Sequence, residues 1–350
     1  MERTAQATEA TDRTKSIELG RVLLSCSQDP TAAKDCPPTQ NQPIGALPDL
    51  KLAGLDLVQP VKPGETDHVR IKIDGDNRDL YLRLPANADP NKPMPLMIVY
   101  NGLNTPGGAG GMDKMTELGK KADEMGFAVA YLQGGGMKGG WNNGQLPFDH
   151  QDDVKFTAKV IDTLQADLNI DKDRTYLLGI SWGGSMMHRA LSQLSNKVAG
   201  AVDIAGFMTG KETWKYPDTH VSELTIHSKD DQTIYYDGRT GWGQRITGFH
   251  QEPVPKTFEF YRRQDGITAE PTVTTSTAPD GKPVTTADAV NPLDGTEVKL
   301  ITLEGVGHGW PGGYELPNTI NATDYAVDFL LSHKRQPSTR GDKKSDTPTS

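Results

Sequence analysis

The sequence predicts an α/β fold: a mostly parallel central sheet with helices on both faces, opened by an antiparallel N-terminal hairpin. Three observations carry this reading. "VRIKI" and "DLYLRLP" alternate apolar and polar residues around the turn signal "DGDN", as paired strands with one solvated face do. The next run, "PLMIVYNG", is unbroken in its apolar character, which a strand buried on both faces requires. From there strand and helix patterns alternate, so consecutive strands are joined by crossovers and lie parallel.

The elements follow in order. "MDKMTELGKKADEMG" has helical spacing and a glycine stop, and "FAVAYLQ" is a strand. "DDVKFTAKVIDTLQADLN" is a helix with two acids in its first turn, where the dipole favours them. "RTYLLGI" is a strand, "WGGSMMHRALSQL" a helix, and "VAGAVDIAG", "ELTIHS" and "VKLITLEG" are strands, with "TINATDYAVDFLLSHK" as the closing helix. Residues 268 to 296 break the rhythm with Thr, Pro and Gly, and are read as a surface excursion with a short edge hairpin. Residues 1–65 are polar with little periodicity and read as a largely disordered extension, 66–333 as the folded domain, and 334–350 as a disordered tail.

Composition narrows the function classes. With 350 residues, 35% hydrophobic, the chain can bury a large core. A formal charge of −9 offers no field for nucleic acid or anionic lipid. No apolar stretch approaches the roughly 18 residues a membrane span needs, and the first twenty residues lack a signal-type hydrophobic region. No nucleic-acid partner, no membrane insertion and no ordinary export signal are therefore expected. Cys26 and Cys36 both lie in the N-terminal extension, which leaves the expected core without thiol chemistry.

The chemistry concentrates at "GISWGG". Gly179, Ser181 and Gly183 form GxSxG, a pattern that a chain with 37 glycines can produce by accident. Its context raises it, because the serine closes a predicted buried strand and opens a predicted helix. Flanking glycines allow a sharp backbone turn, and the helix start brings N–H groups toward any negative charge that develops there. A serine hydroxyl also needs a base, and the base needs an acid. Asp230 and Asp231 follow one later strand, and His308 sits in a glycine-rich loop after the last. Taken singly, an Asp pair in such a loop is a turn or cap residue and a loop histidine is a solvated side chain. His188, on the helix after the serine, is better explained as a helix residue than as the base. A metal set of His220, His227, Asp230 and Asp231 matches no defined spacing. The oxyanion donors expected of this arrangement are the N–H groups of Trp182 and Leu103, the latter in "NGLNTPGG".

Residues 65 to 333 resemble the alpha/beta-hydrolase esterases of the polyhydroxybutyrate depolymerase (LpqC-like) and feruloyl esterase family. The resemblance rests on "RDLYLRLPANADPNKPMPLMIVYNG", "WNNG", the elbow segment, "IHSKDDQTIYYDG" and "GVGHGWPGG" in that order. It implies ester hydrolysis by Ser181 with His308 as base and Asp231 as its acid, since the family's HGxxD pattern places the acid four residues after His227. It also implies a substrate cleft at Trp141, Trp310 and Asn101, a small or polymeric ester as substrate, and no metal or organic cofactor. Asn101 and Leu103 depart from the histidine and cysteine usual at the oxyanion loop, and Trp182 from a smaller residue. Family members are commonly exported, whereas this chain shows no such signal, so cytoplasmic residence or a non-standard route is expected. A serine peptidase or acyltransferase on the same fold, and a binding protein that has kept the elbow as architecture, are the alternatives.

Overall fold

The computed structural model describes residues 52–335, apart from 53, 59, 90, 146–150, 211–218, 241–249, 314, 315 and 318. The opening hairpin is formed by β2 (Thr66–Ile73) and β3 (Asp76–Arg83), which pair antiparallel around Asp74 and Gly75. Both turn residues have positive φ, 52° and 99°, as the two-residue turn of a twisted hairpin requires. A two-residue strand, β1 (Asp56–Leu57), pairs with β2, and Leu52 and Leu55 are buried. The folded body thus reaches back into the segment expected to be disordered up to residue 65. Cys26 and Cys36 lie outside the described residues.

The strands that follow are β4 (Met94–Tyr100), β5 (Ala128–Leu132), β6 (Ile170–Ile180), β7 (Gly200–Ile204), β8 (Ser222–Ser228), β9 (Thr272–Thr277), β10 (Pro283–Val290) and β11 (Glu297–Leu303). They form one sheet in the order β1-β2-β3-β5-β4-β6-β7-β8-β11-β10-β9. The stretch from β5 to β11 is parallel, and both flanks are antiparallel. The excursion at 268–296 is therefore a hairpin that widens the sheet beyond β11. Side chains of the central strands alternate between two cores, as a pleated strand dictates: Leu96, Ile98 and Tyr100 face one, Met97 and Val99 the other.

The first core is covered by α3 (Asp153–Asp167), α4 (Trp182–Leu194) and α5 (Val254–Gln264), and the second by α1 (Gly108–Thr116), α2 (Leu118–Met125) and α6 (Ala322–Ser332). The segment 112–126, read as one helix, is two, because Glu117 adopts φ 56° between them. Asp113 explains the break: its carboxylate accepts from Gly119 N and Tyr131 Oη and pairs with Arg83, tying the start of α2 to the end of α1. The glycine near this boundary, Gly119, gives the Asp113 and Arg83 side chains room, since a Cβ there would collide with both. The C-terminal residues 334 and 335 stay attached, with Arg335 bonded to Asp173 and to the Asn196 carbonyl. Among the described residues no helix is long and apolar enough to cross a membrane.

Topology positions the site. The chain passes from β4 outward to β5 and returns to β6 on the other side of β4, so the connections after β4 and β6 diverge from adjacent strand ends. Crevices form at such reversals in open parallel sheets, at the carboxyl ends of the strands.

One buried carboxyl lies beneath this frame. Glu223 on β8 is fully enclosed; Oε1 accepts from Thr225 Oγ1 at 2.7 Å. Burial pushes its pKa well above 4.5; the Thr225 bond opposes this only in part, and the Asp203 and Asp265 charges add to it. A carboxyl with a raised folded pKa keeps a proton that the unfolded chain releases, so stability falls as pH rises above the ordinary glutamate value. Glu223→Gln is expected to raise the thermal midpoint by about 2 °C or more at pH 8 and by less at pH 5. Calorimetry of both proteins at the two pH values checks this.

Candidate active site

Ser181 stands at the end of β6 and caps α4, with φ 57° and ψ −122°. A non-glycine residue reaches that conformation only under constraint. Its N–H donates to the Ile204 carbonyl at 3.0 Å and its carbonyl accepts from Ser185 N at 3.2 Å, so both flanking peptides are held. The glycines serve close approach. A Cβ on Gly183 would collide with the carbonyl oxygens of Tyr100 and Asn101, and one on Gly179 with the Gly183 backbone. Only hydrogen at these positions lets α4 start directly against the ends of β4 and β6.

The structure brings Ser181, His308 and Asp231 together. His308 Nε2 lies 2.9 Å from Ser181 Oγ, and His308 Nδ1 lies 2.7 Å from Asp231 Oδ2. An ionised carboxylate only accepts, so Nδ1 carries the proton and Nε2 is left to accept from the serine hydroxyl. Asp231 is buried, and burial works to raise its pKa. The hydrogen bond from His308, the charges of His308 and His227, and the Ile234 N–H outweigh that and hold the pKa below 3.8. Its other oxygen, Oδ1, accepts from Thr233 N at 2.8 Å and Ile234 N at 2.9 Å, which fixes the carboxylate plane.

Asp230, the other acid of the pair, turns away and accepts from Gly305 N at 2.5 Å. It joins the acid loop to the loop carrying His308, as do the Lys229 N–H to the Leu303 carbonyl and Ser228 Oγ to the Val306 carbonyl. His227 is buried on β8; its Nε2–H donates to the Ile234 carbonyl at 2.9 Å and lies 3.5 Å from Asp231 Oδ2. Burial lowers its pKa against the pull of Asp231 and the Ile234 carbonyl. This buried histidine thus braces the acid loop. His220 pairs with Asp294 instead and does not join His227, Asp230 and Asp231. His188 is fully buried on α4 between Tyr261 Oη and Asp203.

Among solved structures, the acetyl xylan esterase from Aspergillus awamori matches with a TM-score of 0.53 at 14% identity, over 75% of this chain and 98% of that one. A structure described as a candidate dipeptidyl aminopeptidase IV from Bacteroides ovatus matches with a TM-score of 0.52 at 15% identity, over 77% of this chain and 36% of that one. The chain has the α/β-hydrolase fold. No family profile matches it. In sequence it is homologous to esterases. It is 29% identical over 304 residues to NocK of Nocardia uniformis subsp. tsuyamanensis, by its name a candidate esterase, covering 78% of this chain and 85% of that protein. It is 27% identical over 238 residues to the bifunctional acetylxylan esterase/xylanase XynS20E of Neocallimastix patriciarum, and 28% identical over 243 residues to feruloyl esterase B of Piromyces equi. Those matches cover 67% and 66% of this chain but only 31% and 42% of the two relatives.

In this structure the two tryptophans and the asparagine expected at the cleft are engaged inside the protein. Trp141 and Trp310 are each 1% exposed, so neither offers a ring face to a ligand. The Trp310 indole donates to Thr323 Oγ1 at 2.9 Å and anchors the His308 loop in the core beneath α6. Trp141 packs edge-on against Tyr100 and donates to the Asn101 carbonyl at 2.8 Å, while its own carbonyl accepts from the Trp182 indole at 2.9 Å. Asn101, 1% exposed, bonds to Gly102 O, Gly139 O and Gly134 N, which engages its whole side-chain amide inside the protein. Sequence reasoning overlooked this bracing, and also Asn143, whose Nδ2 donates to Ser185 Oγ on α4. The signal available was "WNNG", a polar cluster too rich in amides for an ordinary surface turn. Leu103 follows at the rim, 41% exposed. Trp182 is half-buried at the first position of α4 with its ring edge toward Phe207.

Gly183→Ala is expected to destabilise the fold by about 1–3 kcal/mol through overpacking against two carbonyls, and to reduce activity per folded molecule because Ser181 is displaced. Chemical denaturation combined with active-site titration checks both effects.

Proposed function

We propose that this protein is a serine carboxylic ester hydrolase that works through an acyl-enzyme on Ser181. The observation that carries the reading is the continuous hydrogen-bonded line from Ser181 Oγ through His308 to Asp231, set on a strained elbow. Homology to esterases supports the same chemistry.

His308 Nε2 takes the hydroxyl proton as Ser181 Oγ attacks the ester carbonyl, and the imidazolium gives that proton to the leaving alcohol. Asp231 holds the tautomer and stabilises the charged ring. Water then enters and attacks the acyl carbonyl as His308 takes its proton, and the acid leaves when the imidazolium returns that proton to Ser181 Oγ. The negative charge on the carbonyl oxygen falls to the N–H groups of Trp182, at the start of α4, and of Leu103, on the neighbouring loop.

For the substrate class, relatives that act on acetylxylan and on feruloyl esters support a carbohydrate-linked acetyl or hydroxycinnamoyl ester. Hydroxyalkanoate esters, suggested by the sequence resemblance, belong in the same panel.

The test compares wild type and Ser181→Ala on p-nitrophenyl acetate, methyl ferulate and a hydroxybutyrate oligomer, with intact mass after a fluorophosphonate probe. Turnover is expected to fall on the order of 1000-fold or more in the variant, with one adduct on the wild type and none on the variant. A folded wild type with neither turnover nor adduct overturns the reading. Asp231→Asn is expected to lower kcat by about 1000- to 10,000-fold while still accepting substrate, which steady-state kinetics resolves.

A further inference from the structure

In the serine hydrolase reading the second oxyanion donor, the Leu103 N–H, lies on a glycine peptide, and its direction is a structural choice. The bond between Gly102 and Leu103 joins the Gly102 carbonyl to the Leu103 N–H. In a planar trans peptide the two point in opposite directions. Fixing the carbonyl therefore aims the N–H. Glycine leaves that peptide easy to rotate, and a rotated peptide would present a carbonyl oxygen to the developing oxyanion in place of a donor.

The structure holds the Gly102 carbonyl with three donors: Asn101 Nδ2 at 2.8 Å, Thr105 Oγ1 at 2.9 Å and Thr105 N at 3.4 Å. The loop lies against the nucleophile, since a Cβ built on Gly102 would stand 3.4 Å from Ser181 Cβ. Asn101 is itself immobilised by Gly134 N, the Gly139 carbonyl and the Trp141 indole. The next residue, Asn104, donates its N–H to the Lys138 carbonyl at 3.0 Å, which closes the loop on its other side.

We propose that Thr105, acting with Asn101, is a positioning residue that locks the Gly102–Leu103 peptide with the Leu103 N–H directed at the oxyanion formed on Ser181. This rests on the serine hydrolase reading. Thr105 touches no reacting atom; its hydroxyl acts through the Gly102 carbonyl, and Asn101 supplies the rigid side of the clamp.

Thr105→Val keeps the shape and removes the hydroxyl donor, and Thr105→Ser keeps the donor. Kinetics on p-nitrophenyl acetate, normalised to active sites counted with fluorophosphonate, are measured with the affinity for a trifluoromethyl ketone, which forms an oxyanion on the serine. Thr105→Val is expected to lose about tenfold in kcat, less than the hundred- to thousandfold of a donor removed outright, with KM changed less than about twofold. Ketone affinity is expected to fall with kcat/KM, and Thr105→Ser to recover most of both. A Thr105→Val enzyme with wild-type kcat and ketone affinity overturns the inference and leaves the hydrolase reading standing. So does a loss that Thr105→Ser does not recover, or one that vanishes on normalisation to active sites. A wild type with no turnover and no adduct overturns both.

Discussion

Ser181 is held at φ 57° and ψ −122°, a conformation that costs an L residue on the order of 1–3 kcal/mol. Much of the surrounding structure can be understood as what sustains it. The strain persists because β6 is buried on both faces and cannot shift, and because the Ile204 carbonyl and Ser185 N–H grip the two peptides around the serine. It is also sustained by the absence of side chains at Gly179 and Gly183, which lets α4 begin against the carbonyls of Tyr100 and Asn101. The result places a hydroxyl above the sheet and a helix start beside it, at the reversal of strand order where neighbouring loops diverge.

The partners of the serine come from the carboxyl ends of β8 and β11, which are adjacent parallel strands. Their loops are bound to each other before they meet Ser181, through Asp230, Ser228 and Lys229 on one side and Gly305, Val306 and Leu303 on the other. Asp231 and His308 are thus carried on loops that are hydrogen-bonded to each other. The lowered pKa of Asp231 keeps its carboxylate charged beside His308 Nδ1, and the buried His227 braces the same loop.

Much of this was legible in the residues. The opening hairpin and the alternation of apolar strands with helices follow from periodicities that burial imposes directly. Ser181, His308 and the pair Asp230 and Asp231 stood out because of their order and their places at strand ends, and the family resemblance singled out Asp231 within the pair. What was not legible depends on contacts distant in sequence. Trp141 and Trp310, in glycine-rich loops, read equally well as cleft walls or as core; their burial is decided by Tyr100 and Thr323. The division of the helix at Glu117 depends on Arg83 and Asp113, and its local signal is a single glycine, Gly119, where a Cβ would collide with both side chains. Leu52 and Leu55 belong to a short apolar run, residues 50–58, at the end of a long polar segment, and their burial in the core shows that the folded body begins there. Asp230 and Asp231 are chemically equivalent neighbours, and the loop conformation alone gives one to His308 and the other to Gly305.

The most direct measurement is a crystal structure of the protein after reaction with a fluorophosphonate, whose tetrahedral phosphorus mimics the intermediate on the serine. The account predicts phosphorus bonded to Ser181 Oγ, the phosphoryl oxygen about 2.7–3.1 Å from the N atoms of both Trp182 and Leu103, and the His308–Asp231 bond intact. An adduct on another residue, or a phosphoryl oxygen facing solvent with the Leu103 N–H turned away, would contradict it.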